Sequence, residues 1–330
     1  HKKGQINLIV CPFSLLSIWK CEINKTDGWN GKFIKPEILI YHGTKRKQFT
    51  DKLHKYDFVI TTYAIIGSKE LNYKKWHRTI LDESHNIKNG LQRSAPKCAQ
   101  AAYQIGENSK VRFCITGTPF NNRIKDIASQ AKFVGVKPYC DPTWWNDNEY
   151  NESNMLCWKK EFVIRRTKDG MMSMPNYHNI VVNPTDQEEK LTNILRKQAA
   201  DDFKNWKQAK RSGNNLARIE LQGKILGLIQ KLRITSNSYF CGEGAVDSEN
   251  VLENCAKVDK IITDLDNLVY KDQKKGVVVF SQFTSFLSVL EQVIETTLVG
   301  VEVYKFTGSL NSEQRNSVLK EFNESREPRI

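Results

Sequence analysis

Runs of apolar and β-branched residues recur along the first half of the chain at 5–10, 37–41, 57–63, 79–81 and 111–115, and each stops at a polar or proline-bearing turn. Short runs of this kind, rich in Val, Ile and Tyr, predict buried strands. The sequence between 79–81 and 111–115 is helix-like, so these two runs predict a βαβ unit with both polar loops on one edge of a parallel sheet. Helical character follows the first run at 14–20. It returns at 121–134, where Ile124, Ile127, Ala128, Ala131 and Phe133 or Val134 come close to sharing a face. Pro138, Pro142 and the paired Trp144 and Trp145 then mark an irregular surface segment, with the tryptophans read as packing anchors in preference to platforms for bases.

The second half is more helical. Thr185 with Glu188 is a capping box, so a helix starts there and carries Leu191, Ile194 and Leu195 on one face. It runs into a basic stretch at 207–211, and a second helix with Leu216, Ile219, Ile225, Leu226, Ile229 and Leu232 follows. Residues 236–256, with glycines, acids and few large apolar residues, predict a loop. A further buried strand at 276–283 ends in Ser281 and Gln282, and an amphipathic helix with Phe286, Leu287, Leu290, Val293 and Ile294 succeeds it. Residues 301–304 predict the next strand, then a turn at Gly308 and a helix containing Arg315 and Phe322.

Length and charge narrow the class. A chain of 330 residues has room for a large core and predicts two domains. Its formal charge of +13 points to an anionic partner, with nucleic acid the leading candidate and a membrane surface the alternative that charge alone leaves open. No apolar run approaches the ~20 residues of a membrane span and no signal-peptide pattern is present, so the chain reads as soluble and intracellular. The eight cysteines are scattered, with no C-x-x-C pair and no histidine at zinc spacing, and read as reduced thiols.

The candidate chemistry sits where the run at 79–81 stops, at Asp82, Glu83, Ser84 and His85. In an open parallel sheet, ligands bind just beyond the carboxyl ends of strands. Two adjacent carboxylates there suit a phosphate-bound magnesium: one holds the metal through water while the other orients or deprotonates the attacking water. The plain alternative is a strand end followed by an ordinary polar turn. Gly28 to Phe33 ends in Gly-Lys, as a phosphate-cradling loop does, but its glycine spacing is short and Phe33 replaces the metal-binding hydroxyl, so it reads as a surface turn.

The stretches LDESHNIKN (81–89) and ITGTPFNNR (115–123) resemble two signature blocks of the Swi/Snf-type ATPases, superfamily 2 helicase-like motors that translocate on duplex DNA. Ser84 departs from the alanine or glycine commoner in that family and leaves the acids untouched. The resemblance implies an α/β fold of two RecA-like lobes with parallel sheets flanked by helices, plus helical insertions, both lobes being truncated. The first lobe, lacking its phosphate loop, would span 1–176 with a helical insertion; a further helical insertion and the start of the second lobe would span 177–330. Both ends read as cut, so that the phosphate-loop lysine and the arginine finger lie outside the sequence. The implied cofactors are ATP and Mg2+. Asp82 would bind the magnesium through water and Glu83 would be the water-orienting base; His85, Thr116, Gly117 and Thr118 would join them around the nucleotide.

The same resemblance implies double-stranded DNA as partner, held by its backbone, with nucleosomes or other DNA-bound protein as further partners and the nucleus, in a eukaryote, as the compartment; otherwise the compartment is cytoplasmic or viral. In the family a strand ending in Cys-Pro, followed by Ser-Leu-Leu and a tryptophan, forms a segment that touches DNA phosphates, which places Pro12 and Ser14 there. Thr61, Thr62, Ser281, Gln282, Gly308 and Arg315 are the other DNA-side candidates, and Arg165, Arg166 and Lys168 line that side, brace the lobes, or form a solvated basic face, alternatives of equal standing. Cys241 and Cys255 are too few for the zinc-binding insert some relatives carry nearby. Two rival functions stand beside the translocase: a strand-separating helicase on DNA or RNA, and a DNA-binding scaffold whose ATPase has decayed.

Overall fold

The apolar runs of the first half are strands of one parallel sheet. In the computed structural model β1 (Asn7–Cys11), β2 (Ile38–Ile40), β3 (Phe58–Thr62), β4 (Trp76–Asp82) and β5 (Ser109–Ile115) lie in the order β2-β3-β1-β4-β5. Every neighbouring pair is parallel. The structure describes residues 5–25, 35–92, 94–119, 126–148, 152–166, 175–241, 246–271 and 276–330, and the chain divides into two compact units, 1–173 and 174–330. The turn from Gly28 to Phe33, the start of the helix expected at 121–134, and Lys168 lie outside the described residues.

In the first unit the helices are α1 (Leu16–Lys25), α2 (Lys69–Asn72), α3 (Lys97–Glu107), α4 (Ile127–Val134), α5 (Pro142–Asn148) and α6 (Glu152–Phe162). Strand geometry sends successive side chains to opposite faces, and β1 is buried on both. Leu8 and Val10 pack with Val59, Leu81 and the inner faces of α3 and α4. Ile9 and Cys11 pack with Ile60, Ile80 and α1. Full burial is worth roughly 1.5–3 kcal/mol for each such aliphatic side chain, so β1 anchors the sheet from its centre.

Chain order fixes where a ligand is received. The strands β1, β2 and β3 fill one side of the sheet and β4 and β5 the other, so the winding reverses between β1 and β4. The crevice at the carboxyl end of such a reversal is where open α/β sheets bind ligands. Val10 pairs with Leu81, which brings Cys11 and Asp82 out side by side at that crevice.

The segment expected to be irregular around Trp144 and Trp145 holds a helix, α5. Trp145 is fully buried, donates its indole N–H to the Tyr139 carbonyl at 2.7 Å, and meets Trp158 edge-on. Pro142 takes the first helical position, where its missing N–H costs nothing, and Trp145 is an anchor of the aromatic cluster.

The second unit contains α7 (Asp186–Arg211), α8 (Asn215–Thr235), α9 (Ser248–Asn254), α10 (Ala256–Asp266), α11 (Thr284–Thr297) and α12 (Ser312–Glu324). The capping box is formed: the Thr185 hydroxyl accepts from the Glu188 N–H, and the Glu188 carboxylate accepts from the Thr185 N–H at 2.9 Å. The loop expected at 236–256 contains α9, started by Asp247 accepting from the Glu249 N–H at 3.2 Å, and it buries Phe240, Val251 and Cys255. Burial of these few apolar residues compensates for their scarcity.

The strands expected at 276–283 and 301–304 are extended, but among the described residues they make only isolated parallel bridges, Gly276 and Glu302 each to Arg329. Val277 and Val279 still pack on the core while Val278 and Phe280 are exposed, which is the two-residue period of a strand without a continuous ladder. Among the described residues no helix is long and apolar enough to cross a membrane.

Candidate functional site

Asp82 is the last residue of β4. Two positions before it, Ile80 packs on the α1 side of the sheet, and period two turns Asp82 the same way. There the Trp19 indole N–H donates to Asp82 Oδ2 at 2.7 Å, while Oδ1 accepts from the Glu83 N–H at 3.0 Å. The Tyr63 hydroxyl donates to the Asp82 carbonyl at 2.7 Å. Burial raises the Tyr63 pKa, so that hydroxyl keeps its proton, and burial together with the Asp82 carboxylate pushes the Cys11 thiol up to about 12.

The chain then turns sharply. Glu83 is left-handed, with φ 51° and ψ 50°, a conformation that costs a side-chain-bearing residue free energy and clusters at functional sites. Its carboxylate oxygen Oε2 lies 3.2 Å from His85 Nδ1, and the same ring nitrogen is 3.1 Å from Thr116 Oγ1 in the loop after β5. Thr116 Oγ1 also accepts from the Thr118 N–H at 3.1 Å, which shapes the 116–119 turn. Gly117 and Thr118 lie on that turn, with Thr118 exposed. The acid loop and the second loop are therefore joined through His85, and Asp82, Glu83, His85, Thr116 and Thr118 come together as one edge.

A second tie runs behind them. The Ser84 hydroxyl is fully buried and donates to Gln130 Oε1 at 2.8 Å, while Gln130 Nε2 donates to the Pro119 carbonyl. Pro119 O can only accept, so the amide nitrogen faces it and the oxygen faces Ser84. One residue before, Ser129 Oγ accepts from the Gly90 N–H at 3.1 Å. Sequence reasoning missed Trp19, Tyr63, Ser129 and Gln130. The signal for the last two was present, because two polar residues interrupt the apolar positions of α4.

The donor set suits a hard, hydrated divalent cation such as magnesium. Among the described residues no three His, Cys, Asp or Glu side chains gather as a cage. Magnesium does not need one: it keeps several waters and takes one or two carboxylates besides phosphate oxygens, which is what Asp82 and Glu83 offer.

The expected DNA-side residues divide by unit. In the first, Pro12 leads into a short 3-10 turn, Phe13–Leu15, on which Ser14 is exposed. Thr61 is fully buried and its hydroxyl donates to the Tyr41 carbonyl at 2.9 Å, so its side chain serves the sheet. Thr62 is different: its hydroxyl is buried without a hydrogen-bond partner, and it lines an open groove of about 470 Å³ with Cys11, Pro12, Phe13 and His42. Arg165 and Arg166 are exposed. In the second unit, Gln282 accepts from Arg233 Nη2 at 2.6 Å, and Ser281 Oγ accepts from the Phe283 N–H at 3.1 Å. Arg315 donates to the Gly308 carbonyl at 3.1 Å and so braces the turn it was expected to act beside.

The sequence has relatives. A family model described as SNF2-related domain matches residues 1–239, and one described as helicase conserved C-terminal domain matches 258–330. The DNA repair protein RAD5B of Arabidopsis thaliana is 26% identical over 315 residues, covering 87% of this chain and 22% of that protein. An uncharacterised ATP-dependent helicase of Mycoplasma genitalium is 26% identical over 343 residues, covering 98% of this chain and 29% of that protein. The chain thus spans less than a third of the length of these relatives. A solved structure, the Sulfolobus solfataricus SWI2/SNF2 ATPase core in complex with dsDNA, aligns with a TM-score of 0.46 at 21% identity over 98% of this chain and 66% of that one.

Proposed function

The chain belongs to the SNF2-related family, and from that premise we propose that it is part of an ATP-dependent translocase on double-stranded DNA. The observation that carries the reading is the pair Asp82 and Glu83 at the winding reversal of a parallel sheet, with the acid loop bonded to the 116–119 loop through His85 and Thr116. The name of the Mycoplasma genitalium relative supports ATP as fuel, and that of the RAD5B relative supports a setting in DNA repair. Nucleosomes or other DNA-bound protein are further proposed partners.

Each residue has its own part. Asp82 would hold the magnesium of a bound nucleotide, which would supply neutralisation of phosphate charge. Glu83 orients the attacking water and takes its proton. His85 and Thr116 pass any displacement of the acid loop to the second loop. Pro12, Ser14 and Thr62 in the first unit and Ser281, Gln282, Gly308 and Arg315 in the second hold phosphates of the DNA backbone, a sequence-independent grip that suits tracking. Movement then follows from closing on ATP and opening after hydrolysis.

The test is ATP hydrolysis by the full-length protein with and without duplex DNA, paired with displacement of a third strand from a triplex. Duplex-stimulated hydrolysis and third-strand displacement without separation of the duplex are expected. Separation of the two duplex strands would assign the protein to the strand-separating helicases, and absence of hydrolysis would make it a DNA-binding scaffold.

A further inference from the structure

We infer that Trp19 is a positioning residue for the magnesium-holding carboxylate, fixing Asp82 Oδ2 through its indole N–H. The inference rests on the proposed nucleotide reading of Asp82 and deepens it.

An aspartate at the end of a strand has two side-chain torsions to settle, and a carboxylate that swings cannot present one lone pair to a hydrated cation repeatedly. Three bonds restrain this one. The Tyr63 hydroxyl holds the Asp82 carbonyl at 2.7 Å, the Glu83 N–H holds Oδ1 at 3.0 Å, and the Trp19 indole holds Oδ2 at 2.7 Å. An indole N–H only donates and a carboxylate oxygen only accepts, so the direction of the last bond is fixed. Its length is that of a charge-assisted bond, the stronger class.

Trp19 is held in turn. Its ring packs in the core formed by Leu16 and Ile23 of α1 with Ile9, Cys11 and Ile60 of the sheet. The indole therefore approaches Asp82 from a rigid helix and not from a loop. The resemblance groups this tryptophan with a DNA-touching segment, whereas the geometry puts its one polar atom on the acid. Outer partners that orient a metal-holding group typically matter 10- to 100-fold in metal affinity or activity, which sets the scale expected here.

The experiment uses the full-length protein and a non-hydrolysable ATP analogue. Trp19→Phe keeps an aromatic ring and removes the donor. It is expected to weaken magnesium-dependent binding of the analogue by about tenfold or more, and to change binding by less than about twofold when Asp82→Asn is already present. In the parental protein labelled with 15N at its indoles, one indole N–H resonance should move when Asp82→Asn is introduced. That same resonance should move when magnesium and the analogue bind, a readout that does not depend on how well Trp19→Phe folds. Equal loss of binding with and without Asp82→Asn, or indole resonances untouched by the analogue, would overturn the assignment. Parental protein that binds no analogue at all would instead sink the nucleotide reading, a result visible before any variant is made.

Discussion

Ser84 is buried with its hydroxyl on Gln130, and that pairing makes a sharp statement about single residues. A buried acceptor that loses its donor keeps the cost of desolvation, whereas replacing both partners by apolar groups of similar shape is nearly neutral. Ser84→Ala alone strands Gln130 Oε1 and is expected to destabilise the protein by about 1–3 kcal/mol. The double change Ser84→Ala with Gln130→Met should return most of that loss, because the exposed Pro119 can turn its carbonyl to water. Denaturant unfolding of four proteins, the parent, the single variants Ser84→Ala and Gln130→Met, and the double variant, decides the matter. Additive losses would mean that the two side chains do not depend on each other. At this scale the acids, His85 and Thr116 were legible in the sequence because they sit in short motifs at strand ends. Gln130 and Trp19 were not, since each acts on a motif far from it in the chain and only the fold brings them together.

At the level of elements, the capping box of α7 links local sequence to tertiary packing. Thr185 accepts from the Glu188 N–H and also donates to the Asn254 carbonyl at 3.0 Å, so one hydroxyl starts α7 and ties it to the end of α9. Thr185→Ala should cost about 0.5–2 kcal/mol, the range for losing a helix N-cap, measured as a lowered denaturation midpoint with unchanged slope. An unchanged midpoint would show that the cap is replaced by water. This element was readable because capping is local and needs only the cap and the first turn after it. The strands of the first unit were readable for a related reason: β1 and β3 are buried on both faces, so their apolar runs are unbroken. Where elements were misread, burial decided against local composition. The helix α9 carries few large apolar residues, yet Val251 is fully buried, and α5, which starts at Pro142, seats Trp145 in an aromatic cluster. In α8 the expected helix forms, and Leu216, Ile219 and Leu226 on it are exposed, so regular apolar positions do not by themselves mean a covered face.

For the whole molecule, a formal charge of +13 gives a field that attracts polyanions, and binding to the proposed DNA partner is expected to fall steeply with salt, but charge does no work. In the proposed function, motion on DNA is fed by hydrolysis at the edge where β4 and β5 end, with Glu83 proposed as the base there. Glutamine keeps the size and hydrogen-bonding reach of glutamate and removes only the ability to take a proton. The direct measurement is single-turnover ATP hydrolysis by full-length Glu83→Gln on duplex DNA, read beside nucleotide affinity. The predicted result is hydrolysis slower by at least the ~10² that loss of a general base costs, with ATP and magnesium still bound and the protein held on the duplex; hydrolysis at the parental rate would contradict it.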